Sequence, residues 1–324
     1  MTMDSGAATA PAERMTAVPT APAHSLHHQI QAVDPAHFSS LRMGAVRHNF
    51  DQHPLMQLPR LAQLARDLMP AKQCRFIQPD TTQTSAFTHS AAAPAGHDID
   101  AVFDRIEAPG SWVALYDVQT DPQYAAFLDE VIASAQHLIH REQPGLFRVA
   151  GFIFISAPPS VTPFHIDREN NFWLQIRGRK TMTVFDHRDR DVVAARDVEN
   201  FIIHGSLDKV KLDETLRDHG VDFDVAAGDG VYFPATSPHM TRTTTDWVRP
   251  GEGVSISIGV VFYTAVTRHH ARVHQCNRVL RNLGLTPVLP GISPWRDAAK
   301  APLGRAIAAA RARWRGYEAP PGAY

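Results

Sequence analysis

Thiol chemistry is nearly absent from this chain. Cys74 and Cys276 are its only cysteines and no CxxC pair exists, so a disulfide framework and a thiolate zinc site are both excluded on count. Any metal must be held by His and carboxylate, and His is plentiful at 18. No run approaches the roughly 18 apolar residues that a membrane span needs. An apolar leader is missing too: residues 1–23 are rich in Ala, Thr and Pro, a composition that buries little and reads as a disordered tail, supporting neither secretion nor anchoring. A cytoplasmic location is the expectation. Nor does one sign of charge dominate, with 32 Lys plus Arg against 33 Asp plus Glu. At 44% hydrophobic and 20% charged residues, the composition is that of a globular protein able to bury a large core.

Hydrophobic periodicity divides the chain. Leu58, Leu61, Leu64 and Leu68 line one face of a helix, and Phe127, Val131, Ile132, Ala135 and Ile139 mark a second over 121–141, stopped by Pro144 and Gly145. Residues 112–118 (WVALYDV) read as a strand between them. The period then changes from 3.6 to 2. Short strands divided by Pro and Gly follow at 147–156, 162–167, 171–178, 180–186, 228–234 and 253–263. Few helical runs separate them, so the pattern favours an antiparallel sandwich or barrel over βαβ units.

Helix returns after Thr264. One segment ends at Gly284, and a second runs over 294–314 with Leu303, Ile307, Ala310 and Trp314 as an apolar stripe. Residues 268–315 carry ten Lys plus Arg and one acid, Asp297, for +9; the total of -1 therefore leaves -10 on the remainder. A nucleic-acid patch is one interpretation. Arginines on the solvent face of a packed helix explain the charge without one, and no aromatic-rich binding motif accompanies them.

The chemistry concentrates in 162–180 (TPFHIDRENNFWLQIRGRK) and 228–241 (GDGVYFPATSPHMT). Two imidazoles and one carboxylate on one face of iron(II) leave three positions open for a cosubstrate and O2. His165-x-Asp167 with His239 supplies that set. A second such pair, His187-x-Asp189, lies in the charged turn DHRDRD with no strand or downstream partner, and is expected to be surface. His165 and Asp167 instead follow a Thr-Pro turn into a strand, after which Gly178 closes a hairpin into a strand bearing Lys180. His239 follows a Gly-Asp turn, a strand and a loop fixed by Pro234 and Pro238.

These segments resemble the JmjC and cupin-like iron(II)- and 2-oxoglutarate-dependent oxygenases, the asparaginyl hydroxylases in particular. The matching features are Thr-Pro-x-His-x-Asp, an Asn four residues later, and the Gly178 and Lys180 spacing. The resemblance implies a mainly β fold with flanking helices: a catalytic domain over 24–264, in which N-terminal helices precede a double-stranded β-helix (jelly-roll) core at about 147–264, and a basic C-terminal helical segment, 265–324, of a kind that often dimerises. It implies His165, Asp167 and His239 as iron ligands, and Lys180 and Thr162 on the distal carboxylate of 2-oxoglutarate. Asn171 would hydrogen-bond beside the metal or cosubstrate, and Tyr116 matches an upstream cosubstrate-binding Tyr. A buried ammonium is the charge a dicarboxylate needs. Two departures stand out: Gly259 lies where the family carries an Asn, and Arg249, ten residues after His239, is an alternative to Lys180 as carboxylate holder. The expected activity is hydroxylation of a peptide side chain or small molecule with O2, as 2-oxoglutarate goes to succinate and CO2. The competing readings are a cupin-like metalloenzyme that uses no 2-oxoglutarate and a non-catalytic ligand-binding or regulatory module.

Overall fold

The computed structural model describes residues 28–76, 81–87, 98–249 and 251–315; the expected N-terminal tail lies outside them. Twelve strands form two antiparallel sheets. They are β1 (Ile30–Ala32), β2 (Gly44–His48), β3 (Cys74–Phe76), β4 (Trp112–Leu115), β5 (Phe147–Ser156), β6 (Ser160–His165), β7 (Asn170–Arg177), β8 (Arg179–Val184), β9 (Val221–Ala226), β10 (Asp229–Phe233), β11 (His239–Thr243) and β12 (Ser255–Tyr263). The large sheet runs β1-β2-β10-β7-β12-β5-β4-β3 and the small one β6-β11-β8-β9. From β5 onward the chain alternates between the sheets, returning to the small one for both β8 and β9. This interleaving is a double-stranded β-helix, as the resemblance implied.

Six helices flank it: α1 (Leu58–Leu68), α2 (Ile99–Asp104), α3 (Pro122–Ile139), α4 (Ala195–His204), α5 (Ala265–Asn282) and α6 (Pro294–Arg315). Asp121 starts α3 by accepting from the Gln123 and Tyr124 amides, with Pro122 preset for the first turn. Thr264 and Thr267 form a reciprocal capping box at α5. Among the described residues, no helix is long and apolar enough to cross a membrane.

Strand β12 explains the layering. Its period of two sends Ile256, Ile258, Val260 and Phe262 outward into a core with Leu61 and Leu64 of α1 and Phe127 and Val131 of α3. Each such side chain contributes roughly 1.5–3 kcal/mol of transfer free energy. The alternate residues Ser257 and Gly259 face inward, between the sheets, and line a cavity. Helix α4 covers the outer face of the small sheet, where Phe201 and Ile202 pack with Phe164, Phe185 and Met240.

Register fixes the two ends of the barrel. Asn170 pairs with Phe262, and His239 pairs with both His165 and Val184, so the loops after β6, β8, β10 and β12 share one end. The other end is closed by the β7–β8 hairpin at Gly178, whose φ is 69°; a Cβ there would lie 2.6 Å from the Trp247 ring and 2.9 Å from the Val254 carbonyl.

The C-terminal helices leave the apolar stripe of the last one largely uncovered. Leu303 and Trp314 are 60% and 85% exposed, and Ala310 is exposed too. Helix α6 instead packs on α5 through Ala301, Gly304 and Ala308. Backbones approach so closely there that a Cβ on Gly304 would fall 1.8 Å from the Arg272 carbonyl oxygen.

Candidate functional site

A small cavity lies between the sheets. Residues two apart on five strands wall it: Phe152 and Phe154, Asn171 and Trp173, Lys180 and Met182, His239 and Thr241, Ser257 and Gly259. The sixth strand breaks this rule. Thr162 and His165 are three apart, yet both line the cavity, because His239 opposes His165 while Thr241 opposes Thr162, which leaves one extra residue on β6. This β-bulge turns both side chains inward.

His165, Asp167 and His239 each offer a ligand atom within 4.8 Å of the others. His239 Nε2 lies 3.4 Å from Asp167 Oδ2, and His165 Nε2 lies 4.0 Å from it. Each ring has its Nδ1 against a backbone carbonyl: Pro163 O at 2.8 Å for His165 and Ser237 O at 3.0 Å for His239. A carbonyl only accepts, so the proton sits on Nδ1 and the Nε2 lone pairs point at the gap between the rings and the carboxylate. Phe87 stacks on His165 at 4.0 Å with rings 5° from parallel, and Phe233 packs 4.6 Å from His239. The Thr236 amide donates to Asp167 O at 2.8 Å, tying the loop before His239 to the segment after β6.

Lys180 is 4% exposed and reaches Ser156 Oγ at 3.3 Å. Burial alone pulls its pKa down to about 8; no carboxylate offsets it. In the same cavity Asn171 Oδ1 and Ser257 Oγ are buried without hydrogen-bond partners. Buried polar groups left open in this way are sites for a polar ligand. Neutral-imidazole and carboxylate donors suit a divalent first-row metal, and an uncompensated ammonium with the open Ser257 hydroxyl as a donor suits a dicarboxylate. The residues therefore fit iron(II) with 2-oxoglutarate.

The remaining expectations divide. Thr162 and Asn171 line the cavity with Lys180. Gly259 leaves room for Asn171: a Cβ there would meet the Asn171 amide at 3.2 Å. Tyr116 falls just past β4, half-buried, with its ring 5.0 Å from Phe152; burial and then the Asp167 charge push its hydroxyl pKa up. It is not among the residues that line this cavity, although the Asp167 charge acts on its hydroxyl. Arg249 is exposed in the loop before β12 and does not line the cavity. His187 is not a surface residue: its side chain is 21% exposed and lines a second cavity, against helix α5, because the 185–220 insertion folds back over the barrel end. Asp189 of the same pair is bound to His219 at 2.7 Å. Phe87, Phe152, Phe154, Trp173 and Ser257 were not picked out from the sequence. Strand parity with Asn171 and with Gly259 was the available signal for Trp173 and Ser257; none pointed to Phe87, Phe152 or Phe154.

No protein-family model matches the chain, and no curated protein matches it. Among solved structures, the chain is similar to the ribosomal oxygenase YcfD of Escherichia coli, with a TM-score of 0.46 at 14% identity over 91% of this chain and 70% of that one. A structure of YcfD in complex with cobalt and 2-oxoglutarate gives 0.45 at 16% identity over 89% and 69%. The non-heme alpha-ketoglutarate-dependent carbocyclase SnoK from nogalamycin biosynthesis gives 0.40 at 17% identity over 69% and 79%.

Proposed function

We propose that the chain is an iron(II)- and 2-oxoglutarate-dependent dioxygenase that hydroxylates a peptide side chain or a small molecule. One observation carries the reading: two imidazole Nε2 atoms and a carboxylate converge in a cavity whose wall holds a buried, uncompensated Lys180. Iron(II) with 2-oxoglutarate and O2 would supply hydroxylation of a C–H bond coupled to release of succinate and CO2.

The chain's own part is positioning. His165 and His239 are held in the ligand tautomer by the Pro163 and Ser237 carbonyls, and Phe87 fixes the His165 ring plane. Asp167 supplies the anionic ligand. Lys180 neutralises a distal carboxylate, with Thr162 and Asn171 as hydrogen-bonding neighbours on the same walls. Phe152, Phe154 and Trp173 keep water from the reacting face. Tyr116, its ring against Phe152 and its hydroxyl under the influence of the Asp167 charge, remains a candidate for the cosubstrate.

The test is succinate formation from iron(II), ascorbate, O2 and 2-oxoglutarate, with Asp167→Ala and His239→Ala as controls. Loss of about 100-fold or more in both is expected, since each removes a ligand outright. Equal succinate from wild type and Asp167→Ala would refute the assignment. A Lewis-acid metalloenzyme using no 2-oxoglutarate would keep its activity after Lys180→Ala.

The exposed Leu303 and Trp314 of α6 favour pairing with a second copy over a free surface. Light scattering checks this: a dimer that Trp314→Glu dissociates supports it, and a wild-type monomer at tens of micromolar rejects it.

A further inference from the structure

A second cavity, partly open to solvent, lies at the same end of the barrel as the metal ligands. The 167–171 segment serves both cavities by alternation: Asp167 and Asn171 line the first, Arg168 and Asn170 the second. Three arginines wall the second cavity from the barrel end, Arg168, Arg188 and Arg190, together with three histidines whose rings burial keeps neutral, His187 beside them and His270 and His274 from α5. No carboxylate lines it. The acids nearby are Asp186 beside His187 at 3.4 Å, Asp189 with His219 at 2.7 Å, Glu169 with Tyr263, Glu199 with Arg281, and Asp297, whose Oδ2 accepts from the Gly291 amide at 2.7 Å while its Oδ1 is unpaired.

Several of these donors are open. Among the described residues, the Arg188 guanidinium makes no hydrogen bond or ion pair. Arg168 and Arg190 use terminal nitrogens on the Phe201, Val193 and His187 carbonyls, while their Nε groups are buried and unpaired. His274 is 7% exposed, and its Nδ1 also has no partner. Leu41, Ile202, Val266 and Leu289 supply an apolar wall opposite this charge.

We propose that this cavity binds a small organic anion, its carboxylate or phosphate held by Arg188, His274 and the open Nε–H groups of Arg168 and Arg190, its apolar body against Leu41, Ile202, Val266 and Leu289. Charge-assisted hydrogen bonds in a partly dry site favour an oxyanion, and the apolar wall disfavours a fully hydrated ion. The site stands on its own side chains and does not depend on the oxygenase reading.

The test is calorimetric titration of the full chain, kept metal-free with a chelator, using octanoate, octyl phosphate and neutral octanamide. Binding of one or both anions about tenfold or more tighter than octanamide is expected, and the stronger of the two identifies the head group. Arg188→Gln, at an exposed position without structural partners, should weaken the anion about tenfold while leaving the melting temperature unchanged. His274→Leu is a second, independent variant that should weaken it as well. Saturating cobalt(II) and 2-oxoglutarate should leave the anion affinity intact. The proposal is overturned by equal binding of anions and amide, by no anion binding up to about 10 mM, by wild-type affinity in both variants, or by competition with 2-oxoglutarate, which would put the anion in the metal cavity.

Discussion

A lysine ammonium at 4% exposure normally has a carboxylate against it, whereas Lys180 has only Ser156 Oγ at 3.3 Å. Its pKa is drawn down to about 8 by burial, so the charge is present at neutral pH and is lost as pH rises through that value. A dicarboxylate binds the protonated form. The KM for 2-oxoglutarate should therefore be flat below neutrality and climb about tenfold per unit once pH exceeds roughly 8. Lys180→Met should raise KM by about 100-fold and abolish that pH dependence. Succinate assays at pH 6.5 to 9.5 decide it, and a wild-type KM unchanged at pH 9.5 would remove Lys180 from the carboxylate role. At Gly259 a smaller effect is expected. A Cβ 3.2 Å from the Asn171 amide forces a flexible side-chain end to shift, so Gly259→Ala should raise KM a few-fold, about 0.5–1 kcal/mol, without loss of fold. A KM equal to wild type would show that the Asn171 amide is not poised on the ligand.

Helices α5 and α6 are held by an absence of side chain. Gly304→Leu drives carbon into the Arg272 carbonyl and should cost about 3 kcal/mol in urea denaturation. Leu303→Ala, at a position 60% exposed, should stay within about 0.5 kcal/mol. The reverse order of the two effects would put the packing seam on the leucine stripe. Periodicity showed that stripe and left open what it packs against. The true seam, Ala301, Gly304 and Ala308, has the same spacing but is written in residues too small to count as hydrophobic signal. Other elements were legible for physical reasons. Strands β5 and β12 show their period because one face meets helices and the other a polar cavity. Strand β9 (VDFDVA) is mostly exposed and β11 (HMTRT) short and polar, so neither announced itself. Likewise α4 packs a single face onto the small sheet from within a charged insertion. At the site, parity from Lys180, His239, Asn171 and Gly259 finds Met182, Thr241, Trp173 and Ser257 on their own strands, and nothing in the sequence points to Phe152 and Phe154. The bulge between Thr162 and His165 breaks parity, and for that pair only motif resemblance placed both side chains inward.

At the scale of the whole molecule, the barrel end is closed by a layer of buried histidines that must stay neutral. Burial pulls His187 and His270 down to about 4, against the opposing pull of Asp186 and Asp297, and pushes His274 well below its ordinary value. The unfolded chain takes up these protons near pH 6.5, so between roughly 6.5 and 4 it binds more protons than the folded one. Stability therefore rises with pH across that window, is fully present above it, and is lost on acidification. Glu169 works the other way. Burial and the Asp167 charge raise it to about 7, so it gains a proton in the folded state over the same range and stabilises as pH falls. The net slope is a difference between these terms, and a variant isolates one of them. Replacing His270 by Phe removes a proton that only the unfolded chain accepts. The urea midpoint of the variant should fall less than that of wild type between pH 7 and pH 5, with the gap closing above pH 7. Parallel declines in the two proteins would mean that His270 titrates alike in both states and that the layer between the barrel and α5 is wet rather than sealed.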